Sequence, residues 1–81
     1  MKLEEALEMF EEIVELCYET EHPRLIEITE ELYPEITQSD NIEEIVSALE
    51  EFVITINQLD FTEDEEELTS EIIEKINILS E

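Results

Sequence analysis

Residues 3–17 read LEEALEMFEEIVELC, and their spacing decides the fold class. Leu3, Leu7, Phe10, Val14 and Cys17 recur at steps of three and four, the repeat of one face of an α-helix. Glu4, Glu8, Glu11 and Glu15 form a second row beside them. When Ala6, Met9, Ile13 and Leu16 are counted with the first row, more than half the circumference is apolar. One edge of this segment therefore needs burial on a broad front, and the other carries only negative charge.

The same period continues along the chain. Pro23 suits the first turn of a second helix whose stripe is Leu25, Ile28, Leu32 and Ile36. Pro34 lacks an N–H and crowds the Glu30 carbonyl, yet Ile36 keeps to the stripe, so a kink is expected there rather than a stop. Asp40 with Glu43 has capping-box spacing and opens a third helix with the stripe Ile42, Ile45, Val46, Leu49, Phe52, Val53, Ile56 and Leu59. Thr62 with Glu65 repeats that spacing before Leu68, Ile72, Ile76 and Leu79. There is no glycine and there are only two prolines, so tight hairpin turns and phosphate-cradling loops are not expected. The expectation is an all-α single domain over residues 1–81. It is a small four-helix bundle or a pair of antiparallel helical hairpins, with the second helix kinked near Pro34.

Composition narrows the function. The chain has 81 residues and a net charge of −23, from 26 acidic residues against Lys2, Arg24 and Lys75. Three scattered cations build no basic patch, which argues against direct nucleic-acid binding and against docking on an anionic membrane. The longest unbroken apolar run is three residues, such as Phe52-Val53-Ile54, too short to span a bilayer. The single Cys17 has no internal disulfide partner and no N-terminal signal pattern is present, so the expected location is cytoplasmic. A chain of this size buries roughly two-thirds of its unfolded surface and leaves little room for a deep pocket.

Candidate chemistry is sparse. Glu19-x-x-His22 has the spacing of a helical di-iron ligand pair, but His22 is the one histidine and Pro23 makes it a junction residue. Cys17 lies on the apolar row with no cation nearby in sequence, as a packed and inert thiol would. The acidic run Glu63–Glu67 in DFTEDEEEL lacks the glycine and alternating oxygen ligands of a calcium loop. It reads instead as a helix start, Thr62 capping and the first acids facing the positive end of the dipole. No metal, no cofactor and no enzymatic activity are expected.

Two short stretches resemble known families. EEALEMFEEI resembles the second helix of a tetratricopeptide repeat, with Ala6 and Phe10 at its A-x-x-x-F spacing, although no first helix carries glycine and no 34-residue period appears. A related echo lies inside the chain, where residues 3–16 align with residues 42–55 at seven apolar positions and both Glu pairs. TEHP (residues 20–23) and LYP (residues 32–34) are similar to elements of the small acidic four-helix immunity proteins that neutralise nuclease toxins. That family's glycine-bearing loop and Asp-Leu-Ile-Tyr-Tyr core are missing here. If the similarity holds, it implies a four-helix fold and a basic protein partner.

The acid itself carries the strongest functional expectation. Glu4, Glu5, Glu8, Glu11, Glu12, Glu15 and Glu19 occupy ~24 Å of helix, one charge per ~3.4 Å, the axial spacing of one DNA strand. A face made for solubility mixes Glu with Lys at i,i+4, whereas here only Glu71 with Lys75 does so. Salt adaptation is the other source of such acidity, but the chain has only three Asp and is rich in isoleucine. These seven glutamates are therefore the candidate protein-binding residues of a small acidic, non-enzymatic protein that engages a basic protein or peptide. The alternative is a helical scaffold or oligomerisation module with an apolar groove beside Pro34. Ile54 and Ile78 fall off their own stripes, and together with the broad first helix they leave a homodimer open.

Overall fold

The computed structural model describes residues 2–80. Four helices follow one another as α1 (Leu3–Glu19), α2 (Pro23–Thr37), α3 (Ile42–Asn57) and α4 (Glu63–Ser80), with no strand among the described residues. Each consecutive pair packs together, α4 closes the ring on α1, and α1 also touches α3 across the diagonal. α2 and α4 do not meet. Links this short between packed neighbours require antiparallel runs, so the molecule is an up-down four-helix bundle.

α1 touches all three other helices, as α3 does, and makes the most extensive contacts of the four, in keeping with its broad apolar face. Ala6, Phe10, Ile13, Val14 and Cys17 are buried, while Leu3, Leu7, Met9 and Leu16 are half-buried along the seams. The centre of its buried face therefore lies between the Leu3–Cys17 row and the flanking set of Ala6, Met9, Ile13 and Leu16, not on the Leu3–Leu7 row. Leu25 and Ile36 of α2, Ile45, Leu49, Phe52 and Ile56 of α3, and Ile72, Ile76 and Leu79 of α4 complete the core.

The helix ends show how a chain without glycine turns corners. α1 closes with Thr20, whose hydroxyl donates to the Cys17 carbonyl at 2.6 Å, and Glu21 then takes the left-handed conformation at φ 56°. Glycine normally occupies such a position, and a residue with a Cβ is strained there by roughly 1–2 kcal/mol. α2 runs on past Pro34 to Thr37, so the proline does not stop the helix. α3 is capped by Asn41 and not by Asp40: Asn41 Oδ1 accepts the Glu43 N–H at 2.9 Å. Asp40 sits one residue too early for its carboxylate to serve as the cap, since Asn41 is the residue with extended backbone before the first turn. At α4 the capping box is complete, with the Thr62 N–H donating to Glu65 Oε1 at 2.8 Å and the Glu65 N–H donating to Thr62 Oγ1 at 3.3 Å.

Three threonines are buried: Thr20, Thr29 and Thr69. Each hydroxyl donates to a carbonyl of its own preceding turn, Thr29 to Leu25 at 2.8 Å and Thr69 to Glu66 at 3.1 Å. With its hydroxyl satisfied this way a threonine packs as a small apolar side chain. No buried side-chain nitrogen or oxygen lacks a partner among the described residues.

Phe10 is 1% exposed and faces Tyr33 at 5.9 Å between ring centroids, whereas Ile54 is 60% exposed. Phe10→Ala should destabilise the fold by about 3–5 kcal/mol in urea denaturation, and Ile54→Ala by less than about 0.5 kcal/mol. Equal losses from the two changes would contradict this placement of the core.

Candidate functional site

All seven glutamates of the expected binding face are exposed on α1. At about 100° per residue they fall within a sector of about 120°, opposite the buried face. The structure thus brings the whole set to one surface.

The two edges of that sector are tied to neighbouring helices. Glu11 accepts the Tyr33 hydroxyl of α2 at 2.9 Å, and Glu12 accepts Lys75 Nζ of α4 at 3.4 Å. The hydrogen bond to Glu11 and the charge of that carboxylate both oppose phenolate formation and raise Tyr33 above the ordinary phenol range. Glu4, Glu5, Glu8, Glu15 and Glu19 make no side-chain hydrogen bond or ion pair among the described residues. The other ion pair among the described residues, Arg24 with Glu27 at 3.1 Å, lies within α2. Both pairs are solvent-exposed and each contributes at most about 1 kcal/mol.

His22 does not join Glu19. It is the N-cap of α2, and its Nδ1 accepts the Leu25 N–H at 3.3 Å. Its Nε2 lies 3.2 Å from the Asp60 carbonyl in the link between α3 and α4, and its ring packs on Phe61 at 4.8 Å. Both contacts are satisfied together by the neutral ring protonated at Nε2, the tautomer that donates to Asp60 and leaves Nδ1 free to accept. One histidine thus caps α2 and latches the α1–α2 link to the α3–α4 link. The residues 38 positions apart that form this latch carry no common motif, so sequence reading identifies the junction but not the tie. Among the described residues no group of three or more His, Cys, Asp or Glu is arranged to hold a metal ion.

Cys17 is fully buried in α1. Burial pushes its thiol up to about 11, against a smaller opposing effect from the Thr29 hydroxyl. The acidic run Glu63–Glu67 starts α4, with Glu65 consumed by the capping box.

Surface cavities lie elsewhere. An open groove of about 610 Å³ runs between the end of α2 and the start of α3, lined by residues including Glu35, Ile36, Glu44 and Ala48. A smaller one of about 190 Å³ continues along the same two helices past Leu32 and Phe52. Neither is an enclosed pocket. No helix among the described residues is long and apolar enough to cross a membrane.

Two measurements test these placements. Removing both the cap and the latch with His22→Ala should lower stability by about 1–2 kcal/mol, and His22→Asn, which keeps a capping acceptor, should lower it by about half as much. Urea midpoints equal to the parent's would contradict the latch. For Cys17 the folded chain keeps the thiol protonated to about 11, while the unfolded chain ionises near 9.0. The associated stability is therefore complete below pH 9, falls between pH 9 and 11 as only the unfolded state ionises, and levels off above; the drop is roughly 2–3 kcal/mol. Cys17→Ala should lack this alkaline drop, and identical pH profiles would refute the assignment.

No family model matches the chain, and neither curated proteins nor solved structures yield a match.

Proposed function

We propose that this chain is a small, non-enzymatic binding protein whose acidic surface engages a basic protein or peptide, in the manner of a decoy, an immunity protein or an adaptor. One observation carries the reading: α1 presents seven exposed glutamates in one sector, and five of them have no counter-charge or hydrogen bond among the described residues. Glu4–Glu8, Glu8–Glu12 and Glu15–Glu19 are like-charge pairs at i,i+4, each unfavourable by a few tenths of a kcal/mol. A solubility face gains nothing from such pairs, whereas a cationic partner turns each into attraction. The field of a −23 chain also accelerates encounter with a cationic partner and repels nucleic acid and anionic lipid. A reducing compartment such as the cytoplasm fits a single buried thiol.

A second reading, a helical scaffold that takes apolar partners, is favoured by the open α2–α3 groove beside the C-terminal half of α2. Ile54 and Ile78, 60% and 45% exposed, add apolar surface, each among polar neighbours on its own helix.

The two readings separate by salt. Immobilised protein should retain members of a panel of purified basic proteins at about 50 mM salt and release them near 0.5 M, where the Debye length has shrunk to a few Å. Replacing Glu4, Glu8 and Glu15 together by Gln should weaken retention by roughly tenfold. No retention of any basic protein at low salt overturns the proposal. Binding that survives high salt and is lost on Ile54→Glu would establish the scaffold reading in its place.

A further inference from the structure

We propose that the groove between α2 and α3 is the seat for a basic amphipathic helix of the partner, with α1 serving to steer that partner toward it. The inference rests on the basic-partner reading and assigns the docking step to a surface distinct from the α1 face.

The groove exists because α2 and α3 pack less closely than any other consecutive pair. The two cavities along them, about 610 and 190 Å³, share Glu35, Ala48 and Glu51 and so form one trough. The floor of its narrower part is apolar, with Ile28, Leu32 and Ala48 half-buried there and Phe52 beneath them, and the wider part has Ile36 and Ile45 beside Ser39, Asn41 and Ser47. On the α3 side the inward row is Glu44, Ala48, Glu51 and Thr55, and the small Ala48 keeps the floor low at mid-length. From Glu44 to Thr55 this row extends ~16 Å, about three turns of a docked helix.

The rim is acidic on both sides. Glu31 and Glu35 stand on α2, Glu44 and Glu51 on α3, and all four are exposed. Among the described residues only Glu44 of these four has a side-chain partner, the Ser39 hydroxyl at 3.1 Å. No Lys or Arg lines either cavity. An apolar floor between two rows of carboxylates complements a helix with one apolar stripe flanked by Lys or Arg, the helix-in-groove mode of recognition. A second copy of this chain does not fit: α1 and α3 contain no Lys or Arg, and α2 and α4 have one each. Long-range attraction sets association rates, while desolvated short-range contacts set dissociation rates. The exposed α1 face and the apolar trough thus divide the two tasks.

The test uses the whole protein and two synthetic peptides of about 18 residues containing only Leu and Lys. One places Leu at i, i+3, i+4 and i+7; the other has the same composition in an order without an apolar face. By stopped-flow fluorescence the amphipathic peptide should bind at least about tenfold more tightly than its scrambled counterpart. Ala48→Lys, which fills the trough and adds a repelling charge, should raise its dissociation rate about tenfold or more. The doubly substituted Glu35→Gln, Glu51→Gln should raise it severalfold, and serves if Ala48→Lys disturbs the fold seen by circular dichroism. Neutralising Glu4, Glu8 and Glu15 should instead slow association and flatten its salt dependence, with dissociation changed less than about twofold. Equal affinity for the two peptides, with groove variants silent and the α1 variant weakening both, overturns the groove while leaving the basic-partner reading intact. Absence of binding by either peptide at low salt overturns both.

Discussion

Every other feature of this molecule depends on the division of α1 into two faces. Its apolar face, centred on Phe10, Ile13 and Cys17, is the surface on which the other three helices assemble. Its opposite face then necessarily points outward and carries seven carboxylates. The chain would otherwise have strong reason to expand, since 26 acids in 81 residues repel one another with only three cations to offset them. Burial of the four apolar faces against one another concentrates the cohesive surface in the middle and pushes the charge to the rim, where water screens it. The two ion pairs among the described residues are peripheral to this balance, as both lie at the surface.

The period of the apolar residues was sufficient to read the four helices, because each amphipathic stripe must meet the same core. Fine detail was legible where it is local. Thr62 and Glu65 form their capping box as their spacing implies, since both partners lie within one turn. The cap of α3 fell on Asn41 instead of Asp40, because two adjacent capping residues compete and only the backbone path decides between them. Thr29 and Thr69 lie outside the apolar stripes, yet their hydroxyls bond to their own helices and free them for burial. The exposure of the α1 glutamates followed directly from their phase opposite the apolar residues.

What the sequence could not show is whatever depends on the distance between helices. The α2–α3 trough is a consequence of how closely two helices approach, and nothing in the pattern of Ile28, Leu32 and Ala48 separates a packed seam from an open one. The bond between His22 and the Asp60 carbonyl joins two links that are remote in sequence and meet only when the bundle closes. The strain at Glu21 belongs to the same class, for a left-handed residue is recognised from sequence chiefly by glycine or asparagine, and this chain uses neither there.

The His22 latch also sets how freely the rest of the surface can change over generations. It fastens the two helix links at one end of the bundle, while the α2–α3 link and the wider part of the trough lie at the other. Substitutions on the exposed rim of that far end disturb neither the latch nor the buried face of α1. Exposed positions away from the core tolerate exchange with little loss of stability. Residues at the trough can therefore be exchanged by successive single changes without passing through an unfolded ancestor.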